Sequence, residues 1–145
     1  MDLSKGVPVS IHLKTEVNQD GEQEEFLFDI KGQVIRMNNT LYIRYKEEQE
    51  DGSEPVSVTM KVLPDGSVQL MRAGEMRMRL KFSYHEQFET SYQTPYGVIF
   101  FSTYTKDLHF SLTDRPTAGK ITIAYDLFMA EQKIGSYDLL LEFSA

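Results

Sequence analysis

The chain has 145 residues, no cysteine and a formal net charge of −7, which suits one domain over residues 1–145 and excludes disulfides, thiol catalysis and cysteine-ligated zinc. The acidic balance argues against nucleic acid, because a phosphate backbone is bound by lysine and arginine side chains that displace counterions. No apolar run approaches the roughly 20 residues that cross a bilayer, and the first residues lack the apolar core of a signal peptide, so neither a membrane partner nor secretion by that route is expected.

Apolar and polar residues alternate along nearly the whole chain, which is typical of strands with one buried and one solvent-facing side. In chain order, the alternating segments cover residues 7–13, 24–36, 40–47, 55–63, 67–72, 75–83, 87–93, 97–105, 107–113, 119–130 and 134–143. We expect nine or ten strands from them. No stretch keeps a helical period over a dozen residues, and residues 126–133, which could be read as a short helix, continue an alternating run and are assigned to strand.

Turn residues separate these segments, because glycine and asparagine adopt the positive φ that tight hairpins require. The predicted hairpin turns are Asp20–Gly21, Asn38–Asn39, Asp51–Gly52, Asp65–Gly66 and Ala73–Gly74. Residues 116–119 are expected to form a longer loop. The two acidic clusters, at residues 22–25 and 47–51, are placed at solvated hairpin ends.

Antiparallel strands joined by short hairpins form a meander, and closing the meander removes the unpaired edges that invite aggregation. We therefore predict an all-β fold, an antiparallel closed β-barrel of eight to ten strands. A two-sheet sandwich is the alternative, since it gives much the same local pattern.

Several short segments carry a family resemblance. They are Leu70-Met71-Arg72-Ala73-Gly74-Glu75, Tyr92-Gln93-Thr94-Pro95-Tyr96-Gly97, Gly119-Lys120-Ile121 and Tyr125-Asp126-Leu127. Together they resemble the YwiB-like family of small bacterial proteins, a domain of unknown function, over almost the whole chain. The resemblance implies a calycin-like (lipocalin-like) barrel in a cytoplasmic protein of a Firmicute. It implies no activity and no catalytic residues, and the Gly-x-Trp signature of true lipocalins is absent because the chain has no tryptophan.

The candidate ligand-binding residues are Arg72, Tyr92, Tyr96 and Tyr125. A loop spanning residues 92–97 at a barrel mouth would offer the Tyr92 and Tyr96 rings to a ligand, or would simply be a shaped connection between strands. Arg72 would anchor a carboxylate or phosphate through its guanidinium fork, or would close the barrel end by donating to backbone carbonyls. Tyr125 belongs to the aromatic and methionine side chains available to line a cavity.

No constellation of catalytic residues is recognisable. His12 and His109 lie on the polar sides of strands, His85 lies in a turn, and no histidine pair has metal-ligand spacing. The chain also lacks a Gly-x-Ser-x-Gly elbow and a glycine-rich phosphate loop. We therefore expect no enzyme, no metal and no cofactor.

Two surface hypotheses remain open. Lys61, Arg77, Arg79 and Lys81 form a solvated outer face or a surface for an acidic ligand. Residues 98–101 are apolar on both sides, so a homodimer edge is a hypothesis there. For function, we favour binding of a small apolar or amphipathic ligand, with a protein-protein interaction module built on a filled barrel as the alternative.

Overall fold

The computed structural model describes residues 3–48, 52–73, 77–114 and 116–145, with the backbone alone at Tyr92 and Asp114. In these ranges a short 3-10 helix, Leu3–Lys5, precedes ten strands. The strands are β1 Val7–Gln19, β2 Glu22–Met37, β3 Thr40–Glu47, β4 Val56–Val62, β5 Val68–Ala73, β6 Arg77–Phe82, β7 Gln87–Thr94, β8 Gly97–Asp114, β9 Thr117–Met129 and β10 Gln132–Ser144. No helix in these ranges has the length and apolar character needed to cross a membrane.

Every strand pairs antiparallel with its neighbours in the sequence, and β1 pairs with β10, so the meander closes into a barrel. The closing ladder runs from Ser10 opposite Ser144 to Asn18 opposite Ser136. The predicted barrel is confirmed, and the sandwich alternative is not adopted. Closure pairs the first and last strands, which would otherwise be exposed edges.

The barrel has a long-stranded and a short-stranded half. Strands β1, β2, β8, β9 and β10 have 13 to 18 residues, whereas β3 to β7 have 6 to 8. Residues 32–37 of β2 pair with β3, and residues 22–31 extend past it beside β1. The acidic cluster at 22–25 therefore lies in the strand, exposed and next to the turn at residues 20–21, which is the predicted solvated hairpin end, although β2 begins two residues earlier than predicted. Of the second cluster, residues 49–51 lie outside the described residues.

Two other predicted boundaries were wrong. The segments 97–105 and 107–113 form one strand, β8, with a bulge between Thr105 and Asp107. The extra residue at the bulge resets the alternation and imitates a strand end. The predicted loop at 116–119 is shorter, because β9 begins at Thr117 and Gly119 sits in the strand opposite Phe143, whose ring would overlap a Cβ there.

The first two hairpin turns follow the backbone preferences of their residues, whereas the β9–β10 turn has positive φ at Ala130 and Glu131, within residues 126–133, whose assignment to a continuous strand was wrong. Asp20, Asn38 and Asn39 have positive φ angles of 52°, 52° and 63°, as type I′ hairpins require. Asp51 and Gly74, from two other predicted turns, lie outside the described residues.

The middle of the barrel is filled by side chains from the alternating apolar positions. Residues with no exposed surface are Val34, Ile43, Met60, Val68, Phe82, Ile121 and Leu141. The Phe82 ring on β6 contacts the Tyr125 ring on β9, with 4.6 Å between centroids. Because β6 and β9 are not neighbouring strands, this contact crosses the interior, and the barrel has a packed centre rather than a through-channel.

Candidate functional site

At one end of the barrel, strands β2 and β8 leave inward-facing apolar side chains partly exposed. On β2, Val34 is fully buried, whereas Phe28 and Phe26, on the same side of the strand, are 42% and 44% exposed. On β8, Thr105 is fully buried and Ile99, again on the same side, is 37% exposed. Alternate strands of an antiparallel barrel run in the same direction, so the first halves of β2 and β8 lie at the same end. We call this the open end, defined by Phe26, Phe28 and Ile99.

Arg72 lies near the open end, on the inward side of β5 opposite Met78 of β6. It is half-buried, and its Nη2 donates to Glu47 Oε2 at 3.0 Å. From the sequence, one expectation was that Arg72 donates to backbone carbonyls. In the structure the Glu47 carboxylate on β3, two strands away, accepts the hydrogen bond instead. Within the described residues, Arg72 Nε is buried and has no hydrogen-bond acceptor. A buried donor without an acceptor is costly, and it leaves Arg72 able to bind a further anionic oxygen.

The buried hydroxyl of Tyr45 lies beside this ion pair. Burial and the Glu47 carboxylate raise the pKa of Tyr45 to about 12, while the Arg72 charge acts in the opposite direction. Tyr45 is therefore a neutral hydroxyl at physiological pH. The three side chains form a polar cluster in a lining that is otherwise apolar.

Tyr125 forms part of the floor below the open end. Its ring stacks on Tyr137 at 5.1 Å and also contacts Phe82. Burial raises the pKa of Tyr125, so this hydroxyl also stays protonated. The stacked rings fill the interior at this level, which limits any ligand to the space above them.

The other two predicted ligand residues lie on the β7–β8 hairpin. The backbone of Tyr92 is opposite Met78 and Ile99 in the ladders, and its side chain lies outside the described part of the structure. Tyr96 is at the tip of the turn and is 99% exposed. Thr94 Oγ1 accepts from the Tyr96 N–H at 3.2 Å and donates to the Gly97 carbonyl at 2.9 Å. These bonds shape the turn and hold Tyr96 away from the inward lining.

A polar groove that the sequence did not reveal lies on the outer face of the long strands. It has a volume of about 570 Å³. His12 Nδ1 is 2.9 Å from Asp29 Oδ1, and Lys31 Nζ donates to Ser10 Oγ at 2.7 Å. The turn at residues 20–21 places His12 directly opposite Asp29, so hairpin register was the signal that could have found this pair.

The described residues offer no group of three or more histidine, aspartate or glutamate side chains that could hold a metal ion. The charged groups found in these ranges form pairs or, at Lys14 and Asp126, sets of three, and most of their side chains are at least partly exposed, as with His109 and Asp107 at 2.9 Å. Pairs of this kind contribute little to stability and imply no reaction by themselves.

Comparison with known proteins assigns the fold a family. The profile of a domain of unknown function, DUF1934, matches residues 11–141. The chain is 28% identical over 131 residues to the uncharacterized beta-barrel protein YwiB of Bacillus subtilis (strain 168), covering 90% of this chain and 89% of that protein. The crystal structure of the ywiB protein from Bacillus subtilis superposes with a TM-score of 0.84 and 26% identity, covering 97% of this chain and 93% of that one. The predicted family resemblance is confirmed, and it extends to a bacterial relative.

Proposed function

Because the chain belongs to the DUF1934 family, a domain family of unknown function, we propose from its geometry that it is a non-enzymatic protein that binds a small amphipathic ligand at the open end. The apolar part of the ligand lies against Phe26, Phe28 and Ile99, and its anionic group pairs with Arg72. The calycin-like description and the cytoplasmic location are predictions that belong to the same proposal.

One observation carries this proposal: inward-facing apolar side chains stay exposed at the end of the barrel where a half-buried arginine lies. Fully burying a side chain such as Phe contributes about 1.5–3 kcal/mol, so exposed phenylalanines on a lining face favour a ligand that covers them. Arg72 supplies the polar group that orients such a ligand, as a few placed polar groups do in most small-molecule sites. The filled centre keeps the ligand near the surface and does not accommodate it deeply.

Binding of dodecanoate, measured by isothermal titration calorimetry, tests the proposal. We expect Phe28→Ser to weaken binding by about tenfold, which corresponds to about 1.4 kcal/mol of lost apolar contact. The matched control is Leu27→Ser, because Leu27 is the next residue of β2 and faces outward, and it should bind dodecanoate as the wild type does. Mass spectrometry of the native protein would identify a ligand that co-purifies with it.

Two results would contradict the proposal. Equal losses in Phe28→Ser and Leu27→Ser would mean that dodecanoate adheres to the surface without using the open end. Absence of saturable binding by the wild-type protein, together with no co-purifying ligand, would remove the proposed function altogether.

A second candidate function is the interaction module with a filled barrel. It is favoured by the packed centre and by Val98 and Phe100, which are 49% and 58% exposed on the outer side of β8. A partner protein that covers this strip would bury both residues.

A further inference from the structure

A groove of about 340 Å³ lies over the adjoining ends of β4, β5, β6 and β7. The side chains of two arginines line it, Arg77 and Arg79 from the outer side of β6; Arg72 of β5 borders the groove, but its side chain is on the inward side of its strand. Arg79 is opposite Met71 and Arg77 is opposite Ala73 in the β5–β6 ladder. Among the described residues, no carboxylate lines this groove, although the chain as a whole carries a net charge of −7.

The two arginines of β6 are available to a ligand. Within the described ranges neither Arg77 nor Arg79 forms an ion pair, and both are exposed. Each guanidinium presents five donors in a planar fork, so the groove has many more donors than the protein itself satisfies.

Uncharged polar side chains complete the lining. Ser57 and Thr59 come from β4, and Ser91 and Gln93 from β7. Hydroxyl and amide groups donate to anionic oxygens without adding charge, and they surround the arginines on both flanking strands. This mixture of charged forks and neutral donors suits an anion with several oxygens on adjacent centres.

The lysines of the predicted basic stripe lie outside this groove. Strand β5 separates β4 from β6, and Gln69 stands between Lys61 and Lys81 in the ladders. Lys61 Nζ lies 5.4 Å from the centroid of the Tyr42 ring, and Lys81 Nζ lies 4.6 Å from that of Phe88. The stripe therefore divides into two lysines that contact rings and two arginines that face the groove.

We propose that this groove binds a phosphate-bearing group with at least two anionic centres, such as a diphosphate. This groove is on the outer face of the barrel, so the inference goes beyond the ligand proposed for the inward-facing open end. Arginine forks match phosphate oxygens in pairs, and a diphosphate supplies enough acceptors for both guanidinium groups. A single carboxylate would leave most of the donors unused.

Titration of pyrophosphate at physiological ionic strength, followed by isothermal titration calorimetry, tests the inference. We expect the double variant Arg77→Gln/Arg79→Gln to weaken binding by on the order of tenfold or more. The double variant Lys61→Gln/Lys81→Gln removes the same charge from the same outer face outside the groove, and we expect it to change the affinity by less than about twofold. Thermal unfolding of both variants confirms that they are folded.

Three results would overturn the inference. Equal losses in the two double variants would show general attraction to a basic face, and succinate binding as tightly as pyrophosphate would assign the groove to carboxylates. Absence of saturable pyrophosphate binding would also reject it. If dodecanoate binding remains sensitive to Phe28→Ser while pyrophosphate fails to bind, the inference about this groove falls and the proposed function stands. If pyrophosphate binds and dodecanoate does not, the anion groove stands and the apolar site at the open end is rejected.

Discussion

The buried hydroxyl of Tyr45 lies beside the Arg72–Glu47 ion pair near the open end. Its pKa is raised to about 12, first by burial and then by the Glu47 carboxylate. A tyrosine whose folded pKa lies above its unfolded pKa of about 10 contributes stability that is complete below pH 10. That contribution is lost as the pH rises through the folded pKa, because the unfolded chain can ionise and the buried hydroxyl resists ionisation.

We therefore expect the free energy of unfolding to decline between about pH 10 and about pH 12, by about 2–3 kcal/mol from Tyr45 alone. Tyr45→Phe should show a shallower decline in denaturant titrations over this window. Tyr96→Phe, which removes a hydroxyl at an exposed turn, controls for the loss of a tyrosine. Parallel curves for Tyr45→Phe and the wild type would mean that the hydroxyl is not held in a low-dielectric site.

The junction between β6 and β7 differs from the other strand pairs, because side-chain hydrogen bonds replace part of its backbone ladder. In the described part of the chain, a single registered pair, Met78 with Tyr92, joins these strands. Threonine hydroxyls replace part of the missing ladder: Thr90 Oγ1 donates to the Arg79 carbonyl, and Thr103 Oγ1 donates to the Lys81 carbonyl at 3.0 Å. Thr103 belongs to β8, so its hydrogen bond reaches past β7 to hold β6.

Removing the buried hydroxyl of Thr103 should loosen this junction. We expect Thr103→Val, which keeps the shape of the side chain, to lower the free energy of unfolding by about 1–3 kcal/mol, because a carbonyl loses its donor. Amide hydrogen exchange should accelerate first in β6. The control is Thr122→Val on β9, where no side-chain hydrogen bond is found within the described residues. Uniform acceleration across all strands would mean that the junction is no weaker than the rest.

The strands themselves were predictable, because one buried and one wet side imposes a period of two on residues such as those at 76–83. The residues at which each strand begins and ends were not predictable in the same way. Strand β2 was expected to begin at residue 24 and begins at Glu22, because β1 pairs with these acidic residues along an extension that needs no buried face. The bulge after Thr105 likewise shifts the alternation by one residue, which a sequence pattern cannot distinguish from a turn.

The candidate site was predictable only in part, for a related physical reason. Arg72 could be singled out as an anion anchor, but its partner Glu47 is two strands away, and only the assembled barrel brings them to 3.0 Å. The exposure of Phe26 and Phe28 was also hidden, because their alternation matches that of the fully buried Val34 on the same strand. Local periodicity reports which side a residue faces, whereas depth along the barrel depends on where neighbouring strands end.

The first half of β8 has two faces with different proposed roles: the inward face lines the open end, and the outward face is the candidate dimer edge. Ile99 faces the open end, whereas Val98 and Phe100 face outward opposite Gln93 and Ser91 of β7. Substituting Ile99 would disturb the ligand lining and any interface together. A substitution at Phe100 tests the homodimer hypothesis without disturbing the ligand lining, because the Phe100 ring is exposed on the outer side of β8.

If the outer strip of β8 is a dimer edge, the wild-type protein should sediment as a dimer and Phe100→Glu as a monomer, since a buried carboxylate without a partner is strongly unfavourable in an interface. Leu27→Glu is the matched control, because Leu27 is 57% exposed on the outer side of β2, and it should leave the dimer intact.

Dodecanoate binding by the Phe100→Glu monomer would then show that the open end binds its ligand without the second copy. A wild-type monomer in sedimentation velocity would contradict the dimer hypothesis, and dissociation by both variants would indicate that added negative charge, rather than the β8 strip, controls assembly.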